Sequence, residues 1–510
     1  MTMLVHAPIL AIAVPLLGAF SLLGLAYVSR TLRNAWACLI SAFTSAMAVA
    51  VAIRAFTEGV VVYTLGAASP AESVTAGGFP VRIVLVVDGL GAFMGLIATL
   101  AGVVALVYCF QYLREEEGKS LGLSLLLLLW AGILGMVYTG DLFNFFVFLE
   151  VTSIAACALV GYRVWESRPP EAAFKTMAMY TLGGLLVLIA VGILYGEYDA
   201  LNIAYLGKLI TGSPLDRLAL GLLLGGLLMK AGAVPAHMWA PDAYGEAPAM
   251  ATVVLVANTQ AAIYAILRVV FTLFGGALAS PGIGWLIASL GIATVLVAVL
   301  MAVVQRHLGR LIAYGAVSQL GYMLLAVGVG AVARGGFGEV ALTGGIFHMI
   351  NDAAAVGLLF LVVGAVRRAV GSVDLLSLGG LGHVLRWEAG FFLLGALALA
   401  GIPPLNGFAS KFLIYESTFR ASPILAALAL LASILLLAVV VRAFQGAFLG
   451  PRTREASPAP RGMLVAMGIL ALVIVVFGLF PGFFIERIVS PAVQAVLTGR
   501  EAYLAAVLGG

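Results

Sequence analysis

Glu150 lies in the run NFFVFLEVTSIAACALV, with no other charge between Asp141 and Arg163, and Lys230 ends the apolar run LLLGGLLMK just before Gly232 and Pro235. Burial disfavours either charge alone, while each favours the charged form of the other. A pair that can approach and separate therefore switches its own affinity for a proton. His237, seven residues past Lys230, adds an imidazole that titrates near neutrality, as a relay or as a hydrogen-bonded residue at a helix break. In GGIFHMINDAAAVGLLFL, His348 and Asp352 stand four apart on one helix face, as a second relay or as a helix-stabilising pair. Lys411, in NGFASKFLIYES, either serves a further proton path or carries its charge to the outer surface on its long stem. No metal-ligand spacing or nucleophile elbow occurs, so neither a metal, a cofactor nor a catalytic site is expected. Cys38, Cys109 and Cys157 each stand alone in apolar sequence, which excludes a disulfide framework and a chain-borne iron–sulfur centre. GVGAVA at 328–333 imitates a dinucleotide fingerprint but lies inside an apolar run with no strand before it.

The elements that position these groups follow from composition. Of 510 residues, 63% are hydrophobic and 10% charged, against about a quarter charged in soluble domains. Apolar runs long enough to cross a bilayer as helices recur along the whole chain. The expected fold is all-α and polytopic, with about fourteen transmembrane helices and a lipid bilayer as surroundings. At that depth an ionisable side chain is costly and marks an ion path by default. The net charge of +4 is spread over short loops, without the basic stripe that nucleic-acid binding requires. Fifteen Lys and Arg residues fall in alternate loops against seven in the others, which predicts both termini outside a cytoplasmic membrane. Segment 60–87 reads as a small external β-hairpin.

Two spans are interrupted. The seventh, near 216–240, breaks around Gly232 and Pro235; the twelfth, near 389–419, breaks from Gly401 to Gly407. Matched broken helices in two halves of a transporter point to its ion path. Each is the fourth helix of a five-helix group, and an odd number of helices per copy forces opposite topology. The expected organisation is residues 1–118 as three N-terminal helices with the hairpin, 119–275 and 276–450 as two inverted repeat units, and 451–510 as a last helix and tail.

At these residues the chain resembles the antiporter-like subunits shared by Mrp-type cation/proton antiporters, respiratory complex I and membrane-bound hydrogenases. The stretch MKAGAVPAHMWAPDAYGEAPAMATVVLVANTQAAIYAILR carries most of the likeness, with DLFNFFVFLE, RLIAYGAVSQLGYML and LGGL; GIPPLNGFASKF looks most like the D-type Mrp protein. The resemblance implies that Glu150 and Lys230 form the ion pair of the first half-channel, that Lys411 is the terminal lysine, and that protons pass along a hydrated central axis. It also marks two departures. Gln260 stands where the family usually has a lysine in its eighth helix, and Val356 where many members have one in the eleventh, with Asp352 at a position often histidine.

The expected function is proton translocation, alongside other membrane subunits of a cation/proton antiporter or of a hydrogenase or quinone reductase. Any redox chemistry would be the partners', and sodium is the alternative coupling ion. Two other readings compete: a scaffold subunit that has lost its lysines, in which transport survives substitution of Lys411, and a stand-alone secondary transporter, in which the isolated chain takes up a solute.

Overall fold

The computed structural model describes residues 2–65, 83–113, 118–452 and 455–508. Twelve helices among them are long and apolar enough to cross a membrane. In chain order the principal helices are α1 (Ala7–Val28), α2 (Arg30–Thr57), α3 (Gly89–Tyr112), α4 (Lys119–Tyr138), α5 (Leu142–Val160) and α6 (Arg168–Tyr198). There follow α7 (Pro214–Ala231), α8 (Trp239–Glu246), α9 (Ala249–Leu267), α10 (Pro281–Val303), α11 (Leu308–Val332) and α12 (Phe337–Val370). The last are α13 (Arg386–Ala400), α14 (Asn406–Ala421), α15 (Pro423–Phe448) and α16 (Arg461–Leu479). Shorter helices end the chain, from Pro481 to Leu508.

Strands β1 (Val61–Thr64) and β2 (Val84–Val87) pair antiparallel, Val61 opposite Val87, so the two arms of the expected hairpin form. Its connection, and Arg82, Arg114 and Arg454 of the orientation count, lie outside the described residues.

Burial sorts the helices into layers. Every residue of α9 is buried, as is every residue of the π-helical turn Arg268–Leu273 that continues it. Nearly all of α11 and most of α12 are enclosed too. A helix apolar all round and buried all round belongs at the centre of a bundle. The outer helices instead present large apolar side chains, such as Leu17, Ile154, Phe174 and Ile434, on their exposed faces, as lipid contact requires. Helices α10 and α11 touch backbone to backbone. A Cβ at Gly284 or Gly291 would meet backbone of Val332, Gly328, Leu325 or Gly321 across the interface. In membranes such small-residue contacts supply the packing that the hydrophobic effect cannot.

Two segments that composition alone would run straight are broken, where the prolines place them. Helix α7 starts on Ser213, which accepts from the N–H of Asp216 in a capping box, and stops at Gly232, whose φ of 79° only glycine adopts freely. Helix α13 stops in the same way at Gly401, φ 80°. After each stop the next N–H turns back to a carbonyl five residues upstream: Ala233 to Leu228, and Ile402 to Leu397, both at 3.0 Å. A cis prolyl bond follows each, at Val234–Pro235 and at Pro403–Pro404. Both glycines thus end one half-helix cleanly and leave backbone carbonyls open for side chains.

Candidate proton path

The first break organises the first ion pair. Lys230 occupies the last turn of α7, and its Nζ lies 3.0 Å from Oε1 of Glu150 on α5. It also donates to Oγ of Ser153, one turn beyond Glu150, and sits 4.9 Å from the centre of the Tyr180 ring on α6. The lysine side chain is 4% exposed and the glutamate 32%, so the pair is enclosed at the ammonium and open at the carboxylate. Helix α6 makes room for that carboxylate with Gly184, where any side chain would collide with Glu150 Oε1. The freed backbone is satisfied by its neighbours: Trp239 Nε1 donates to Met229 O at 3.0 Å, and Val234 N–H donates to Thr294 Oγ1 on α10 at 3.1 Å.

The second break holds the second lysine. Lys411, on α14, donates to Leu399 O at 2.8 Å and to Ser433 Oγ on α15 at 3.2 Å. Its Nζ stands 4.6 Å over the Tyr322 ring of α11. Because Leu399 belongs to the end of α13, the ammonium caps the negative end of a half-helix, a favourable place for a cation. Lys411 is 1% exposed. Of the two readings of Lys411, the one that carries its charge to the outer surface does not hold: the open carbonyls of α13 anchor the charge inside.

Between the breaks the structure separates two residues that spacing put together. His348 does not bond Asp352. Its Nδ1 is 2.9 Å from Ser410 Oγ on α14 and its Nε2 is 3.2 Å from Gln319 Oε1 on α11. Asp352 turns instead to α9, where Gln260 Nε2 donates to its Oδ2 at 2.9 Å. Gln260 and Asp352 are both buried, and Val356 lies one turn further along α12, fully enclosed. His237 sits in the turn between α7 and α8, buried, with neither ring nitrogen hydrogen-bonded to a described residue.

Sequence reasoning missed several groups that touch the lysines or His348: Ser153, Tyr180, Tyr322, Gln319, Ser410 and Ser433. Ser153 was within reach of the argument, being three residues from Glu150 on a helix. The Arg268 guanidinium is buried, paired with Asp88 at the start of α3 and lying 5.0 Å over the Tyr503 ring.

Charged loops expected on one side of the membrane meet in space. Arg163 and Arg367 both pair with Glu166, and Arg310 lies 3.1 Å from Asp242, which Lys175 also approaches at 2.8 Å. Two adjoining cavities of about 250 and 290 Å³ open here, sharing Glu166 and Arg367 in their walls. His307 faces the second. Burial, then Arg310, Arg367 and Arg168, against the opposing pull of Asp374, bring its pKa down from 6.5 to about 4.

Comparison with known proteins places this geometry. The family described as "NADH:quinone oxidoreductase/Mrp antiporter, TM" matches residues 139–436. NADH-quinone oxidoreductase subunit N of Desulforudis audaxviator is 32% identical, over 98% of this chain and 100% of that protein. The A-type protein of the Na(+)/H(+) antiporter of Alkalihalophilus pseudofirmus is also 32% identical, over 82% of the chain but only 55% of its own length. Among solved structures, a chain of the Mrp complex from Dietzia superposes over 100% of both chains with TM-score 0.87 at 27% identity. One from an archaeal membrane-bound sulfane sulfur reductase covers 99% of this chain and 100% of its own, with the same score at 28% identity. A chain of Thermus thermophilus complex I, at 22% identity, shares the fold with TM-score 0.81, over 99% of this chain and 100% of its own. The protein belongs to the NADH:quinone oxidoreductase/Mrp antiporter transmembrane family and is one of its antiporter-like, multi-pass membrane subunits.

Proposed function

We propose that this chain conducts protons through the membrane as one subunit of a multisubunit complex, a cation/proton antiporter or a complex I-related hydrogenase or quinone reductase. The observation that carries the reading is the Glu150–Lys230 pair, an ammonium enclosed at a helix break against a partly open carboxylate. In low dielectric the attraction between them is strong, so a change in their separation changes which of them holds a proton. His237, Gln260, Asp352, His348 and Lys411 continue the path from the first break to the second.

Each broken pair, α7 with α8 and α13 with α14, counts as one crossing and gives fourteen with the twelve continuous helices. Residues 119–275 and 276–450 then form two inverted units between the N-terminal part, 1–118, and the tail, 451–510. Both termini face outward from a cytoplasmic membrane, and the partners are the complex's other membrane subunits, with protons and, in an antiporter, sodium as the ions moved.

The test is ion translocation by the purified complex in proteoliposomes. Lys230→Ala and Glu150→Gln are each expected to abolish it, and unchanged transport in both would sink the proposal. The scaffold reading draws support from Gln260, where by the resemblance the family usually has lysine, and from Val356, where many members have one. It predicts transport at the wild-type level in Lys411→Ala, whereas the conducting reading predicts loss.

A further inference from the structure

Gln260 and Asp352 meet through one hydrogen bond, from amide Nε2 to carboxyl Oδ2. The other oxygen of each group, Gln260 Oε1 and Asp352 Oδ1, is buried and has no donor among the described residues. Two enclosed acceptors without a donor are rare in a folded interior, and here both belong to the same pair. An ionised carboxylate offers only acceptors, but a protonated one also donates. A carboxylic acid and a carboxamide that share one N–H···O bond form a two-bond ring when they lie coplanar, the acid's hydrogen on its second oxygen donating to the amide oxygen. A single hydrogen on Oδ1 would then satisfy both.

We propose that Asp352 is held as the neutral acid, its Oδ1 hydroxyl donating to Oε1 of Gln260, and that this proton is the one the centre of the chain carries. The assignment rests on the reading of the chain as a proton conductor and names its carrier where the family's lysines are missing. Glutamine at 260 cannot supply the positive charge that would hold an aspartate ionised beside it. The charged and titratable groups acting on Asp352 from neighbouring elements are Lys411 on α14 and Tyr244 on α8, with His348 one turn away on its own helix. Once the Lys411 ammonium has passed its own proton onward and stands as the amine, the Oδ1–H bond of Asp352 breaks and, relayed by water, an N–H bond forms on Lys411. Acid plus amine become carboxylate plus ammonium, with no change in total charge. The carboxylate keeps the Gln260 amide as donor, and the ring re-forms when the next proton arrives.

Infrared difference spectroscopy on the purified complex in H₂O and D₂O reads this hydrogen directly. Wild type is expected to show a protonated-carboxyl C=O band that shifts on deuteration, is absent in Asp352→Asn and moves in Gln260→Met, which removes the amide. Asp352→Asn, nearly isosteric, is expected to assemble normally and to slow translocation on the order of 10²-fold. A band untouched by Asp352→Asn, or transport at the wild-type rate in that variant, overturns the proposal. So does a band that sodium abolishes, since the two oxygens would then hold a cation. The band is read without transport, and Lys230→Ala tests conduction without Asp352, so failure of either assignment is distinguishable from failure of the other.

Discussion

An ammonium can give up its proton within a membrane protein, whereas a guanidinium stays charged. Lys230→Arg therefore separates the two roles an ion pair can have. The longer cation can still reach Glu150 and Ser153, so a structural role would survive the change. A relay would not. Translocation is expected to fall by on the order of 10²-fold while the complex assembles normally, and wild-type transport in Lys230→Arg would assign the pair to architecture alone. Glu150, Lys230 and Lys411 were legible because isolated charges stand out in apolar sequence. Their ring and hydroxyl partners were not, since a tyrosine or serine in a membrane helix looks the same whether or not a lysine from another helix lies against it. Tyr180 comes from α6 and Tyr322 from α11, and only tertiary packing brings each under its ammonium. His348 and Asp352 show the complementary failure: the helix face was right, but residues on one face can reach different neighbours, here α11 and α14 for one and α9 for the other.

At the scale of elements, the glycine that ends each half-helix does more than permit a turn. Gly401 takes φ 80°, and a Cβ added there would stand 2.9 Å from Lys411 Cδ. Gly401→Ala is expected to cost about 1–2 kcal/mol from the left-handed backbone and, by moving Lys411 off Leu399 O, to reduce transport as well. Gly390→Ala, in the exposed part of α13 with nothing within 4 Å of an added Cβ, is the control: it should leave transport unchanged and raise thermal stability slightly, since alanine favours helix over glycine. His307 makes a second prediction at this scale. It caps α11, its Nδ1 accepting from the N–H of Arg310 at 3.1 Å, and its folded pKa of about 4 lies below the unfolded value of 6.5. Folding therefore favours the neutral ring. The stability this gives is complete above about pH 6.5 and is lost as pH falls toward 4. His307→Asn, which retains a capping oxygen, should flatten that fall in thermal unfolding, and an unchanged pH profile would remove His307 as its cause. The existence and place of both breaks were legible, because glycine and proline act locally. The continuation of α9 into a π-helical turn at Arg268–Leu273 was not, and neither was the burial of its first residue against Asp88 and Tyr503, which are remote in sequence.

For the whole molecule, the charge bias between alternate loops has a spatial counterpart. Glu166, Arg163 and Lys175 flank the connection between α5 and α6, Arg310 opens α11, and Arg367 closes α12, yet Glu166, Arg163 and Arg367 meet in the walls of the two adjoining cavities, and Arg310 and Lys175 meet on Asp242. Loops that meet in this way lie at one end of the bundle, and under the proposed topology their excess of arginine puts that end on the cytoplasmic side. The opposite end carries Thr211, between α6 and α7, and Gly335, between α11 and α12. Cysteine labelling in oriented vesicles tests the assignment, with Cys38, exposed on α2, first replaced by serine. Ser167→Cys and Leu376→Cys occupy exposed positions at the arginine-rich end, and Thr211→Cys and Gly335→Cys exposed positions at the other. An impermeant maleimide added outside right-side-out vesicles should label the second pair and spare the first, and inverted vesicles should exchange the result. Labelling of Ser167→Cys and Leu376→Cys from outside would reverse the whole chain in the membrane. It would equally exchange the sides of the membrane on which the two ends of the proposed path lie.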